Sequence, residues 1–206
     1  RIIKMLNVER DHLVVEQKAI YSIEKFLIAR RLMYWQVYLH KTVLSAESLL
    51  VNILRRAKEL ALKGEKLFAT PSLAVFLEND YTQEDFNSDP ALLDHFTRLD
   101  DNDVVASIKV WSEGKDKILA RLCLNLLNRK LYRVEIQGEK IAKEYKNALI
   151  EKVCRKYRVS KEEASYFVFS DKVNNSAYNA NQYKINILSG KNKLVDVAQA
   201  SDQRRS

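Results

Sequence analysis

Residues 18–50 read KAIYSIEKFLIARRLMYWQVYLHKTVLSAESLL, and this run decides most of the fold. Its apolar residues recur every three to four positions, which predicts an amphipathic helix rather than a strand. The helical periodicity covers about residues 16–38 and resumes over residues 42–63, after which Gly64 supplies a helix stop. The pattern leaves open whether this is one very long helix or two helices broken near residues 39–41.

One side of this run carries a distinctive set of polar side chains. Arg30, Tyr34, Tyr38 and Lys41 follow one another at offsets of four, four and three residues, which puts all four on one helical face. Such a face is either a binding surface or a solvated surface whose tyrosines keep their hydroxyls in water. The residues alone leave both interpretations open.

The composition favours a folded, largely helical protein. Of the 206 residues, 47% are hydrophobic and 30% are charged, which is typical of globular domains rather than disordered chains. Only four glycines and two prolines occur, which favours long helices over a turn-rich β-sandwich. The two cysteines, Cys123 and Cys154, do not form a CxxC pair, so we expect buried thiols in a reducing cytoplasm. No run of 18 apolar residues occurs, so no membrane span is expected.

The remaining pattern predicts short strands at both ends of a helical body. Turn residues 9–11 lie between two extended runs and predict a β-hairpin near the N-terminus. Helices are predicted over residues 90–98, 101–111, 115–128 and 139–157, with a short one after the capping pair Ser160 and Glu163. Strands are predicted at residues 131–136 and 166–169, and a second hairpin at residues 184–188 and 193–197. An exposed loop is expected at residues 174–182 and a frayed end at residues 201–206.

The predicted fold class is therefore mainly α with a small α+β C-terminal part. We divide the chain into residues 1–130, a β-hairpin plus helical body, and residues 131–206, a small αβ tail region. The sequence opens without methionine, directly in strand-like residues. We therefore expect the chain to be a C-terminal piece of a longer protein.

The charge distribution and the absence of phosphate-loop and metal-ligand motifs reduce the number of possible functions. The net charge of +8 makes an anionic partner plausible, but lysines and arginines are spread among acids, which argues against a nucleic-acid binder. Neither glycine-rich phosphate loop, GxxxxGK[ST] or GxGxxG, is present. The histidines His12, His40 and His95 are scattered without ligand spacing, so no metal site is predicted within the chain.

The first 63 residues resemble a segment of the HD-domain phosphohydrolases, in particular the deoxynucleoside triphosphate triphosphohydrolases. In that family a hairpin precedes a long helix carrying an Arg, a Tyr eight residues later, and then a His-Lys pair. Arg30, Tyr38 and His40–Lys41 match this order here. The later stretches LYRVEI and INILSGKNKLVDVAQASD are similar to the C-terminal part of bacterial members.

The resemblance implies an HD-domain-like helical body and hydrolysis of a phosphate ester or anhydride. It also implies a divalent metal held by a His…His-Asp…Asp set. This chain contains no His-Asp dipeptide, so we expect those ligands upstream and the fragment alone to be inactive without its metal-binding N-terminal half. Carried over by position, Arg30 would contact substrate phosphates and Tyr38 the sugar or base. Tyr34 stands where some relatives have a histidine, which weakens the case for leaving-group protonation from this position and for a triphosphate substrate.

Two functions stay open at this point. The first is the C-terminal portion of a phosphohydrolase that contributes a nucleotide-contacting helix, with Arg30, Tyr34, Tyr38 and Lys41 binding substrate. The second is a non-catalytic nucleotide-binding, regulatory or oligomerisation module. In both, the expected partners are a nucleotide or another phosphorylated small molecule and further copies of the chain in a homo-oligomer.

Overall fold

The computed structural model describes residues 2–173, 184–190 and 193–200. The predicted fold class, mainly α with a small α+β part, is confirmed. The predicted loop at residues 174–182 and the predicted frayed end at residues 201–206 lie outside the described residues.

Within the described residues, helices span Ile20–Met33 (α1), Lys41–Leu62 (α2), Pro71–Glu78 (α3), Gln83–Ser88 (α4), Pro90–Arg98 (α5), Asp101–Trp111 (α6), Lys117–Leu127 (α7), Lys143–Tyr157 (α8), Lys161–Ala164 (α9) and Val197–Ala200 (α10). Strands in the described residues span Leu6–Glu9 (β1), His12–Glu16 (β2), Asn186–Ser189 (β3) and Lys193–Asp196 (β4).

The chain forms two compact units. One unit contains residues 1–40 and 172–206, and the other contains residues 41–171. We call them the sheet unit and the helical unit. The boundary expected between residues 130 and 131 stays a prediction. None of the helices in the described residues combines the length and the apolar character that crossing a membrane requires.

The sheet unit is built on a four-stranded sheet in the order β1-β2-β3-β4. Both predicted hairpins are confirmed as antiparallel pairs, with Leu6 opposite Val15 in the first. Its two turn residues, Arg10 and Asp11, adopt left-handed φ values of 50° and 64°, which match the strand twist in a tight hairpin. The two hairpins are joined by a parallel pairing of Val15 with Ile187, which sequence periodicity does not predict.

One side of α1 packs in the core of this sheet unit. Ile23 of α1 is buried together with Val15, Ile187 and Val197, and Leu27 packs against the same cluster. The hydroxyl of Ser189 at the end of β3 donates to the side-chain oxygen of Gln17, the residue that follows β2, at 3.2 Å. The sheet therefore fixes the start of α1 and the direction in which it leaves.

The helical unit has its own core, organised around α2 and α7. Its fully enclosed side chains include Leu49, Ile53, Leu119 and Leu122, and the buried Trp111 donates its indole N–H to the carbonyl of Phe68 at 2.8 Å. The predicted stop of α2 is confirmed at Gly64, which has φ +88°. The amides of Gly64 and Glu65 donate to the carbonyls of Ala61 and Leu60, which closes the helix end.

The strand predicted at residues 131–136 is wrong. Its backbone is irregular, and the Tyr132 amide and carbonyl both bond to the Ser45 hydroxyl, at 2.8 and 3.0 Å, instead of to a neighbouring strand. The Tyr132 ring packs edge-on against Phe167 and Phe169. Leu131 and Tyr132, neighbours in sequence, both pack against the helical core, and Ile136 is exposed, so the alternation does not correspond to two faces of a strand.

The strand predicted at residues 166–169 is also wrong. The amides of Tyr166, Phe167 and Val168 donate back to carbonyls of α9, so the chain continues as turns. The capping box of Ser160 and Glu163 that starts α9 is confirmed. Several boundaries also differ. The helices expected from about residues 16, 115 and 139 begin at Ile20, Lys117 and Lys143, and Val197, expected at the end of a strand, begins α10.

A nearly buried ion pair joins α2 to the start of α7. Arg56 donates from Nη2 and Nε to the two carboxylate oxygens of Asp116, at 2.7 and 3.2 Å, and only 13% of the Arg56 side chain is exposed. Asp116 also accepts from the backbone amide of Leu119 at 2.7 Å, which caps α7. Burial raises the pKa of Asp116. The hydrogen bonds and the Arg56 charge lower this pKa by a larger amount, so it lies below its usual range.

We predict that Asp116→Asn lowers the free energy of unfolding at pH 7 by about 2 kcal/mol, because the nearly buried Arg56 loses the Asp116 charge and keeps only the longer contact to Glu59 at 3.6 Å. The pKa of Asp116 is depressed in the folded state, so its contribution is complete above the unfolded pKa of about 3.9. It is lost as the pH falls through the folded pKa. Urea unfolding followed by Trp111 fluorescence measures both effects.

The difference between wild type and Asp116→Asn should therefore shrink as the pH is lowered from 7 toward 2. Glu113→Gln is the matched control, since Glu113 is exposed and should leave stability unchanged. A difference that stays constant down to the lowest pH would show that the carboxylate charge is not what stabilises the pair.

The two cysteines should differ in reactivity. Cys123 is fully buried, and burial raises its pKa to about 12, whereas Cys154 is half-buried. At pH 8 Cys123 would therefore be almost entirely in the thiol form, whereas the thiolate is the reactive form. We predict that an aromatic disulfide reagent labels Cys154 in the folded protein and labels Cys123 only in urea, as read by peptide mass mapping. Cys154→Ser should therefore abolish labelling of the folded protein.

Candidate functional site

The helix that carries the predicted site residues changes its geometry there. α1 ends at Met33, and residues 34–38 form a π-helical turn in which the Leu39 amide donates to the Tyr34 carbonyl at 2.7 Å. Leu39 then leaves helical geometry, and α2 begins at Lys41. Of the two alternatives left open by the sequence, the broken helix is correct. Single π-helical turns are rare and frequently lie at functional sites.

Arg30, Tyr34 and Tyr38 are brought together at this turn. The guanidinium carbon of Arg30 lies 5.7 Å from the centre of the Tyr34 ring, within the range of a cation–π contact. The Tyr34 and Tyr38 rings lie 5.1 Å apart with their planes tilted by 50°. Arg30 and Tyr38 are exposed, and Tyr34 between them is half-buried. A cation and two rings therefore follow one another along one side of the helix end.

Lys41, the fourth predicted residue, lies in the other unit. It is exposed and is the first residue of α2. The expectation that all four side chains share one face stays a prediction, and so does the substrate-binding role of all four.

Arg30 is chemically available for an anion. It forms no ion pair with any residue in the described part of the chain. A guanidinium presents a planar fork of donors that matches two oxygens of a phosphate or carboxylate. The Tyr34 ring covers one side of this region and limits where Arg30 can reach. Tyr38, with 53% of its surface exposed, offers a free ring face on which a planar group can stack.

The outer surface of α1 is apolar on more than one side. Beside the core-facing Ile23, one exposed stripe contains Tyr21, Ile28 and Leu32, at offsets of seven and four residues. A second exposed stripe contains Phe26 and Met33, seven residues apart. Exposed apolar side chains grouped on more than one side of a helix mark a surface that other protein covers.

The described residues contain no group of side chains that could form a metal centre. Among residues 2–173, 184–190 and 193–200, no three His, Cys, Asp or Glu side chains are grouped so that they could hold a metal ion. The chain as described therefore does not fit the metal that the family resemblance implies.

The helical unit contains an open cleft that sequence analysis did not single out. Its volume is about 760 Å³, and it lies between α2 and the region of α9. Its cations are Arg55, Arg56 and Lys63, and its acids are Glu59, Glu162 and Glu163, so the lining has no net charge. Because Arg56 is also held by Asp116, we do not regard the cleft as a phosphate site.

Comparison with known proteins connects the chain to HD-type proteins. A family model described as the HD associated region matches residues 1–84. An uncharacterized protein of Bacillus subtilis (strain 168), YwfO, is 30% identical over 134 residues, which is 65% of this chain and 29% of that protein. The crystal structure of a phosphohydrolase from Bacteroides thetaiotaomicron VPI-5482 is 44% identical and superposes with a TM-score of 0.86.

That superposition covers 98% of this chain but 50% of the phosphohydrolase. The chain thus spans about half the length of the solved relative and under a third of the Bacillus protein. It is an HD-domain-related protein with the fold of one half of a phosphohydrolase.

Proposed function

We propose that the chain is the C-terminal portion of a cytoplasmic HD-domain phosphohydrolase that acts on nucleotides. In this proposal the metal centre lies upstream, in a His…His-Asp…Asp set that holds a divalent ion. The deoxynucleoside triphosphate triphosphohydrolases are the subgroup proposed. The helical elements also contribute contacts between copies in a homo-oligomer.

The observation that carries the proposal is the surface of α1. A 14-residue helix with large apolar side chains on both sides of its core-facing stripe needs other protein around it. The solved phosphohydrolase relative is twice as long as the matched region, so a protein of that size would supply such surroundings. Arg30 and the tyrosines lie at the C-terminal end of this same helix, and would then line an enclosed pocket rather than an open surface.

Enclosure would also strengthen the chemistry of Arg30. A charge-assisted bidentate bond to a phosphate gains in a site from which water is excluded. Tyr34 would keep the guanidinium in place through the cation–π contact, and Tyr38 would stack on the base or hydrogen-bond the sugar. These residues bind and orient the substrate, and the bond-breaking step belongs to the part of the protein outside this chain.

We predict that Arg30→Gln lowers kcat/KM for nucleotide hydrolysis about a hundredfold in the longest native protein that contains this chain, because two charged hydrogen bonds to phosphate are lost. Arg31→Gln is the matched control: Arg31 is the next residue, equally exposed, and should change kcat/KM less than threefold. The assay measures phosphate release from a panel of deoxynucleoside triphosphates with Mg²⁺ or Mn²⁺.

Equal effects of the two substitutions would reject the role proposed for Arg30. If nucleotide binds and Arg30→Gln weakens binding, but no substrate of the panel is hydrolysed, the non-catalytic regulatory function would replace the enzyme. The 206-residue chain alone should release no phosphate.

We further predict that polar substitutions in the exposed stripe of α1 destabilise a longer protein but not the 206-residue chain. In the 206-residue chain, Ile28→Ser with Leu32→Ser should leave the thermal midpoint within about 2 °C and reduce binding of a hydrophobic dye, because both side chains are exposed. In a longer protein that covers the stripe, the same pair should cost about 3 kcal/mol. Ile23→Ser is the control, since Ile23 is buried and its loss should destabilise both forms. An equal, small effect in both proteins would show that nothing covers this stripe.

A further inference from the structure

The strand β1 forms one edge of the four-stranded sheet. Its neighbour is β2, and no other strand in the described part of the chain pairs with it. An edge strand presents a row of backbone amides and carbonyls to which a strand of another chain could bond. The partners of these groups in β1 therefore decide whether this edge can recruit a further strand.

The register of the first hairpin shows which backbone groups of β1 point outward. The loop between β1 and β2 has two residues, so the pair that closes it, Glu9 and His12, exchanges two backbone hydrogen bonds. Such pairs alternate along an antiparallel ladder, which makes Asn7 the next residue bonded to β2. The amides and carbonyls of Leu6 and Val8 therefore point away from β2, toward the free edge.

Both outward amides already have acceptors close by in the sequence. Val8 donates its amide to the side-chain oxygen Oδ1 of Asn7 at 2.8 Å. Leu6 donates its amide to the carbonyl of Ile3, and this bond closes the short 3₁₀ helix Ile3–Met5 that precedes the strand. An incoming strand needs these two donors, so it would have to break both bonds before it could pair fully with β1.

The side chains of this edge would otherwise favour pairing. Leu6 and Val8 share one face of the sheet with Leu13, which lies opposite Val8, and all three are exposed. Lysine and proline are common protections of an edge strand, and neither occurs in Leu6–Glu9. The other edge strand, β4, has the same length but carries the exposed Lys193 and continues directly into α10. In β1 the two amide bonds are what distinguishes a protected edge from an open one.

We propose that Asn7 closes the free edge of the sheet and thereby prevents β1 from pairing with β1 of a second copy. Two copies that met at Val8 in an antiparallel, two-fold arrangement would exchange two backbone hydrogen bonds at that residue. Each copy would have to contribute its Val8 amide, and the Asn7 side chain occupies this donor. The role is confined to the hairpin and does not depend on the proposed catalytic function.

Asn7→Val tests this role, because it removes the acceptor of the Val8 amide and places a residue that strands favour. In the longest native protein that contains this chain, sedimentation velocity should show roughly tenfold more material in species larger than the wild-type assembly, since two backbone bonds become possible in the contact. Hydrogen exchange read by mass spectrometry locates the contact. In Asn7→Val, the amides of residues 6–9 should exchange more slowly as the protein concentration rises.

Two control variants separate the amide bond from a gain in apolar surface. His12→Val adds the same side chain to the same face of the hairpin, since His12 lies two residues from Val14, the partner of Asn7. It frees no amide at the edge and should associate like the wild type. Asn7→Asp keeps a side-chain oxygen for the Val8 amide and should also behave like the wild type, in high salt that screens the added charge.

Folding is checked in the same samples. Asn7 and His12 are exposed, so the thermal midpoint of each variant should stay within about 2 °C of the wild type. Equal association of Asn7→Val and His12→Val would show that apolar surface controls pairing. Unchanged association of Asn7→Val, or larger species in which residues 6–9 exchange equally fast at every concentration, would show that the edge is not what Asn7 protects. Each of these results would overturn the proposal, and none would bear on nucleotide hydrolysis.

Discussion

The sheet unit depends on one pairing between distant parts of the chain, that of β2 with β3. Val15 and Ile187 are 172 positions apart in sequence, and the pairing joins two hairpins that would each be marginal as isolated two-stranded units. Together the four strands give α1 an apolar surface on which Ile23 can be buried. The direction of α1 follows from this, and with it the position of Arg30 and of the π-helical turn. The loop-closure entropy of so long a connection must be offset before the site residues acquire a fixed place.

Features that depend on neighbouring residues could be predicted from the sequence, and features that depend on contacts between distant residues could not. The hairpins, the starts of α6 and α9 with their capping boxes, and the stop at Gly64 are set by neighbouring residues, and they were predicted close to their observed ends. The helix α4, which also has a capping box, was not predicted. The pairing of the two hairpins was not predicted, because it needs contacts that local periodicity does not encode. The strand expected around Tyr132 failed for a related reason. Its backbone groups are satisfied by the hydroxyl of Ser45, 87 residues away, and a hydroxyl leaves no strand signature in either segment.

The candidate site likewise has one feature that local spacing predicts and others that it does not. The four-residue spacing of Arg30, Tyr34 and Tyr38 predicted that the side chains follow one another, and they do so as a cation and two rings in contact. The π-helical turn beneath them could not be predicted, since no residue type specifies it. The β-branched pair Thr42 and Val43 gave only faint support for a break in the helix near residues 39–41. Lys41 shares the spacing but belongs to the other unit. Because the helix is interrupted between Tyr38 and Lys41, the expectation that Lys41 shares the face of the other three residues stays a prediction.

The exposed stripes on α1 indicate what kind of partner would cover them. They are apolar, like a surface cut from a protein core, and such surfaces associate permanently. Cover from the rest of a longer protein would enclose the end of α1 and the π-helical turn, and would turn the open surface around Arg30 into a pocket. The order of these two events follows from the chemistry: the stripes must be covered first, because a chain that exposes them associates without selectivity.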